Sequence, residues 1–211
     1  MEKAGMTKST DGPRRRRSPK GEHRREEILD AGMRIFARGG YSSASIASVA
    51  EEVNLTLPGL LHHFPTKVDL LLAILERRDI NSLALVGSLD GNWRETLKGL
   101  CRVNRANTEI PGVVRAFSIL NAESLIEDHP AVGWFSTRLA GVRERLAGGI
   151  RRGVEAGEVR ADIFPEDIAA EIIGMMDGLQ VLWLRAPGQT DIVAIFDGYI
   201  DRLIHDLEVK S

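Results

Sequence analysis

Thr56, His62, His63 and Lys67 stand close together in the chain, and the chemistry they share is the docking of phosphate. Thr56 can cap a helix, and the free N–H groups at that helix start form a seat for an anion. His62 and His63 can donate to phosphate oxygens, and Lys67 can do so with a full charge. Gly59 costs about 1 kcal/mol of helix propensity relative to Ala, and its missing side chain allows a close approach. Upstream, the run Arg14-Arg15-Arg16-Arg17 adds a block of cations. Catalysis has no comparable set. The chain contains no Gly-x-Ser-x-Gly elbow, P-loop, His-Glu-x-x-His or Cys-x-x-Cys, and the Glu51-Glu52 pair falls on a helix expected to be exposed. No enzyme is expected. Neighbouring helix positions point about 100° apart, so His62 and His63 do not share one ion, and no further ligand lies at metal spacing. His23, His129 and His205 are isolated, so no metal and no cofactor is expected.

These residues need short helices to hold them. Ser45 can cap a first one, on which Ile46, Val49, Ala50 and Val53 make a narrow apolar face at helical spacing. Asn54 stands where that helix must stop, because Asn tolerates the left-handed conformation. Thr56 then caps a second helix over residues 57–63, with Pro58 in its first turn, where a missing N–H costs nothing. Leu57, Pro58, Gly59, Leu61, His62 and His63 are its candidate contact residues, and Phe64 is a core plug. Two helices across so tight a turn make a helix-turn-helix, which lays its second helix in the major groove of DNA.

Several stretches agree in order and spacing with a known pattern. Ile28-Leu29-Asp30-Ala31, Phe36, Gly39-Gly40-Tyr41, Ser45-Ile46-Ala47-Ser48-Val49-Ala50 and Leu60-Leu61-His62-His63-Phe64-Pro65-Thr66-Lys67 together resemble the tetracycline-repressor (TetR/AcrR) family. The run Val68-Asp69-Leu70-Leu71-Leu72-Ala73-Ile74-Leu75 resembles its fourth helix. The resemblance implies an N-terminal DNA-binding head, a helical effector-binding body, and a fourth helix whose tilt carries the response between them. It also implies a homodimer on a palindromic operator, most simply a repressor released by a small molecule; an activator or an effector-independent regulator is the alternative. The chain departs from the family where Leu57 replaces a basic or polar residue, Gly59 a Thr and Leu61 a phosphate-binding Tyr.

Composition agrees with an all-α chain. Ala, Leu, Glu and Arg dominate, the hydrophobic fraction is 43%, and Val, Ile and Thr form no alternating runs. No apolar run reaches the roughly 18–20 residues of a membrane span. The N-terminus lacks an apolar signal segment, and Cys101 is the only cysteine, so a cytoplasmic protein is expected. The net charge of −2 hides an asymmetry: residues 1–67 hold 12 Lys/Arg against 8 Asp/Glu, a balance of +4, and the remainder carries −6. A basic front and an acidic rear suit a DNA-binding end on a non-binding body.

Three regions are expected. Residues 1–21, with Arg14, Arg15, Arg16 and Arg17, read as a disordered basic arm, either following phosphates and the minor groove or simply solvated. Residues 22–67 form the helix-turn-helix head, beginning with a helix over 22–38 that Gly39-Gly40 stops. Arg24 and Arg25 at its start are phosphate contacts or solvated charges. Residues 68–211 form the body, with helices expected over about 67–89, 93–108, 113–127, 131–156, 166–185 and 191–207. Ile172, Met176, Leu179, Ile192, Ile195, Phe196, Tyr199 and Leu203 stripe the last two and are assigned to a dimer interface, a core-facing role being the alternative. Trp93, Phe117, Asn121, Trp134, Met175, Gln180 and Trp183 are the candidate effector contacts; each aromatic or Met has plain core as its alternative.

Overall fold

The computed structural model describes residues 19–87 and 92–209. Among these, nine α-helices follow one another: α1 Pro19–Ser43, α2 Ile46–Glu52, α3 Leu57–His63, α4 Lys67–Val86, α5 Trp93–Thr108, α6 Pro111–Glu123, α7 Val132–Glu155, α8 Pro165–Arg185 and α9 Ile192–Leu207. The only extended pairing among them is an isolated antiparallel bridge between Val159 and Glu208. The class is all-α, as expected.

Boundaries differ from those expected where proline or glycine acts at a helix end. Helix α1 begins at Pro19 rather than residue 22, so part of the expected arm is helical; Arg14, Arg15, Arg16 and Arg17 lie outside the described residues. Gly40 has φ 73° and ψ −171°, which breaks α1 as expected before a last short turn to Ser43. Helix α4 stops at Val86 because Gly87 follows at φ 85°. Pro111 starts α6 and Pro165 starts α8, ahead of the expected 113 and 166, since proline is pre-organised for a first helical position. Helix α6 ends at Glu123, short of the expected 127, in turns that include Asp128 at φ 67°.

Two apolar clusters fill the molecule. One joins Ile28, Leu29, Phe36, Val49, Leu60 and Phe64 of the first three helices and their edges to Leu70, Leu71, Ile74 and Leu75 of α4, Phe117 and Leu120 of α6, and Phe135 of α7. The other joins Trp93 and Leu97 of α5 to Leu146 and Ile150 of α7, Ile172 and Trp183 of α8, and Phe196 and Ile200 of α9. The expected boundary after Lys67 therefore crosses a continuous core. Helix α1 approaches α4 closely at Gly32, where an added Cβ would lie 2.7 Å from Ile74 Cδ1. Ile80 of α4 is 59% exposed.

Two measurements test this packing. A Cβ at Gly40 would sit in a region almost closed to L residues and 2.1 Å from Glu123 Oε1. Gly40→Ala is expected to cost at least about 2 kcal/mol in urea unfolding. Burial, reinforced by the nearby Asp197 carboxylate, pushes the Cys101 thiol up to about 12. The folded state thus keeps its proton when the unfolded thiol has ionised, so this group's contribution to stability fades as pH rises from about 9 toward 12. At pH 8, iodoacetamide should label the native chain about a hundredfold more slowly than the urea-unfolded chain.

Candidate nucleic-acid interface

Local chemistry builds the helix-turn-helix. Ser45 Oγ accepts the Ser48 N–H at 2.9 Å and caps α2. That helix ends in a double turn: the Leu55 N–H reaches Ala50 O at 2.9 Å, the Asn54 N–H reaches Glu51 O at 3.1 Å, and Asn54 sits at φ 53°. Thr56 Oγ1 then accepts the Gly59 N–H at 3.2 Å and caps α3. An added Cβ at Gly59 would also stand 3.2 Å from this hydroxyl, so the glycine suits the cap as well as a close approach. Thr66 and Asp69 form a reciprocal capping box at the start of α4.

Helix α1 braces the motif from behind. Arg24 Nη1 donates to Val53 O, and Arg25 Nη1 donates to His63 O, each at 3.3 Å. Arg25 also lies 4.1 Å over the ring of Phe64, which is buried as expected of a core plug. Arg34 Nε pairs with Glu52 at 2.6 Å. Arg24 and Arg25 thus brace the ends of α2 and α3.

The outer side of the motif presents Ser45, Thr56, Leu57, Pro58 and His62, all exposed, with Gly59, Leu61 and His63 half-buried. The two histidine rings are 5.8 Å apart and perpendicular. Lys67 is not turned outward as a phosphate donor. Its Nζ lies 4.1 Å over the Tyr41 ring, and burial lowers its pKa while Glu123 acts in the opposite direction. The Tyr41 N–H in turn donates to Glu123 Oε2 at 2.7 Å, and the His129 ring meets Tyr41 edge-on at 5.2 Å. Glu123 closes α6, so this group ties the turn before α2 to the body.

The candidate effector residues do not gather. Phe117 and Trp134 belong to the first cluster, Trp93 and Trp183 to the second, Gln180 is buried, Asn121 is half-buried, and Met175 opens outward from α8. Trp93 Nε1 is committed to Glu158 at 3.0 Å. A cavity of about 440 Å³ instead lies between α1, α4, α5 and α6, lined by Met33, Arg77, Arg78, Leu85, Asn107 and Ile110 among others. Its buried polar residues, Arg78 and Asn107, were missed although both stand on apolar stripes: Arg78 continues Leu71, Ile74 and Leu75, and Asn107 continues Leu100 and Val103.

The dimer stripe also turns inward. Ile172, Leu179, Ile192, Phe196 and Leu203 are buried in this chain's own core, and Met176 and Tyr199 pack against it; Ile195 alone of the eight is exposed. The open apolar surface lies on the neighbouring side of α8, where Gly174, Gly178 and Leu182 recur at four-residue spacing beside Met175 and Val181. An added Cβ at Gly174 or Gly178 would meet nothing within 4 Å, and these glycines, with Glu171, Met175, Leu182 and Tyr199, line a shallow groove. The two glycines were the available signal.

Similarity to other proteins agrees with this architecture. The model of bacterial regulatory proteins of the tetR family matches residues 28–74, and that of the BetI-type transcriptional repressor C-terminal region matches residues 134–205. The HTH-type transcriptional repressor Rv1474c of Mycobacterium tuberculosis is 26% identical over 175 residues, which span 82% of this chain and 89% of that protein. Among solved structures, the SmeT–triclosan complex superposes with a TM-score of 0.76 at 16% identity, covering 90% of this chain and 93% of that one. A putative transcriptional regulator from Saccharomonospora viridis in complex with choline gives 0.72 at 22% identity, over 90% and 100%. These structural likenesses carry the fold, and the two sequence models carry the family at both ends of the chain. With a capped helix-turn-helix at its front and a helical body behind, the chain belongs to the TetR family of bacterial regulatory proteins and is a DNA-binding transcriptional regulator.

Proposed function

We propose that the protein is a homodimeric repressor that places α3 of each subunit in successive major grooves of a palindromic operator and leaves it when a small molecule binds the body. The observation that carries the DNA half is the outward face of α3, capped by Thr56 and held at its far end by Arg25. The groove along Gly174, Gly178 and Leu182 supports pairing of α8 and α9 with a second copy, because bare glycines let two helices approach closely. Repressors among the relatives and the ligands bound by two structural neighbours support the regulatory half. Ser45, Thr56, Leu57, Pro58, Gly59, Leu61, His62 and His63 form the DNA face in this reading; the basic arm adds phosphate contacts.

Base recognition by this face is apolar. No Arg, Lys, Asn or Gln lies between Thr56 and His63, so the bidentate contacts that read guanine or adenine have no source on α3. Leu57 is 40% exposed and Leu61 is half-buried beside it. Side chains of this kind contact the C5-methyl of thymine, with His62 left for a polar contact.

Fluorescence anisotropy against the DNA flanking the protein's own gene tests the main reading. Binding should be salt-sensitive and palindrome-dependent, with two or four chains per duplex. Equal weak binding to every duplex would defeat it. Replacing operator thymines by deoxyuridine should weaken binding about fourfold per contacted methyl, and Leu57→Ala should erase the difference. Leu182 is 56% exposed, so Leu182→Glu spares the fold of one subunit. In sedimentation velocity it should give monomers, with operator affinity lower by about a hundredfold or more.

A further inference from the structure

The cavity between α1, α4, α5 and α6 is lined by two buried residues, each carrying a donor without an acceptor. Arg78 is 7% exposed and Asn107 4%, and both line it. Arg78 Nε and Asn107 Nδ2 are fully covered and donate to no acceptor. The Arg78 guanidinium lies 3.7 Å over the Phe117 ring; burial, with Arg138 adding repulsion, lowers its pKa to about 10, against the opposing pull of Asp79 and Asp177. A stacked ring offsets part of the cost of burying a cation, but it supplies no hydrogen-bond acceptor. Unpaired buried donors are costly, and a buried cation more so.

The other charges of the lining are already satisfied. Arg77 reaches Glu26 at 2.8 Å and Asp30 at 2.7 Å, joining α4 to α1 and consuming the two carboxylates. The remaining walls are largely apolar: Met33, Leu85, Ala106, Ile110 and Val113. A ligand complementary to this lining has an acceptor-rich anionic head and an apolar body. From these groups we infer that the cavity is an effector site for an organic carboxylate with an aliphatic chain, whose head pairs with Arg78 and Asn107 after a small side-chain adjustment.

The site lies on the seam between head and body rather than inside the body alone. Glu26, Asp30 and Met33 come from the helix that braces the helix-turn-helix; Arg77, Arg78 and Leu85 come from the helix that leaves it. An occupant therefore touches both sides of the joint. It selects the spacing of α1 and α4 that fits it, and shifts DNA affinity to the extent that this spacing differs from the bound one. This last step rests on the repressor reading; the ligand site itself does not.

The test uses octanoate and decanoate against 1-octanol, octanamide and octylamine, with the full chain. Thermal unfolding reports ligand binding, and anisotropy of the operator duplex reports its consequence. The carboxylates should raise the melting temperature and bind at least about tenfold more tightly than the other probes. Arg78→Met and Leu85→Trp should both lose this response while circular dichroism shows them folded; Leu85 stands at the rim and its replacement leaves the buried donors intact. Equal effects of acid, amide and alcohol, or no saturable binding of any acid at millimolar concentration, would overturn the inference, as would an undiminished response in Leu85→Trp. Saturable octanoate binding by a protein that shows no operator preference would uphold the site and defeat the repressor reading instead.

Discussion

The Tyr41 N–H has its acceptor on another helix: the carboxylate of Glu123, 2.7 Å away at the end of α6. The approach is possible because residue 40 has no Cβ and adopts a backbone conformation that other residues avoid. This one bond sets where the chain turns from α1 into α2, and so where Ser45 starts the helix-turn-helix. Lys67 over the Tyr41 ring and His129 at its edge enclose the same point. A head attached only by a flexible link would have no defined orientation. Here the turn, the first residue of α4 and the last residue of α6 meet around one aromatic ring.

The surrounding core has the same consequence. Leu70, Leu71, Ile74 and Leu75 of α4 share a cluster with Ile28 and Phe36 of α1 and with Phe117 and Leu120 of α6. Packed interiors respond to displacement by switching between arrangements rather than by stretching. A shift of α4 is therefore felt by α1 and the braces that α1 extends to Val53 and His63. The salt bridges of Arg77 to Glu26 and Asp30 add specificity of position more than energy, since both acidic partners are exposed.

Features decided by nearest neighbours were legible in the sequence. Ser45, Asn54, Thr56 and Pro58 each act within four residues of themselves, and the structure uses every one in the expected capping or turn role. Helix α5 and the span of α3 follow for the same reason. What the sequence left open was which way an apolar helix faces once a neighbour competes for it. Helix α8 is apolar over much of its circumference, so Ile172, Leu179 and Trp183 satisfy the core while Met175, Val181 and Leu182 remain outside. Counting along the helix does not say which of two apolar stripes a neighbouring helix will cover. The candidate effector residues are scattered for a similar reason: Trp93 and Phe117 occupy different clusters that no spacing rule separates. Pro111 and Pro165 each open a helix, which moves the starts of α6 and α8 ahead of the expected 113 and 166.

Arg78 shows how the misfit of one residue can be useful. An apolar side chain at this position would extend the stripe of Leu71, Ile74 and Leu75 and stabilise a single packing of α4. A buried guanidinium with an unpaired Nε instead leaves that packing less favourable than it could be. Any conformation in which the group gains an acceptor recovers the difference. Moving a two-state equilibrium from about 1:99 to 99:1 takes about 5.5 kcal/mol of preferential binding, and a charge-assisted pair in a low-dielectric site is a substantial share of it. The cation lies on the helix joining DNA reader and body, and its neighbour Arg77 holds α1. A buried cation with an unpaired Nε at that place is a means by which what fills the cavity beside it could bias the relative position of the two halves.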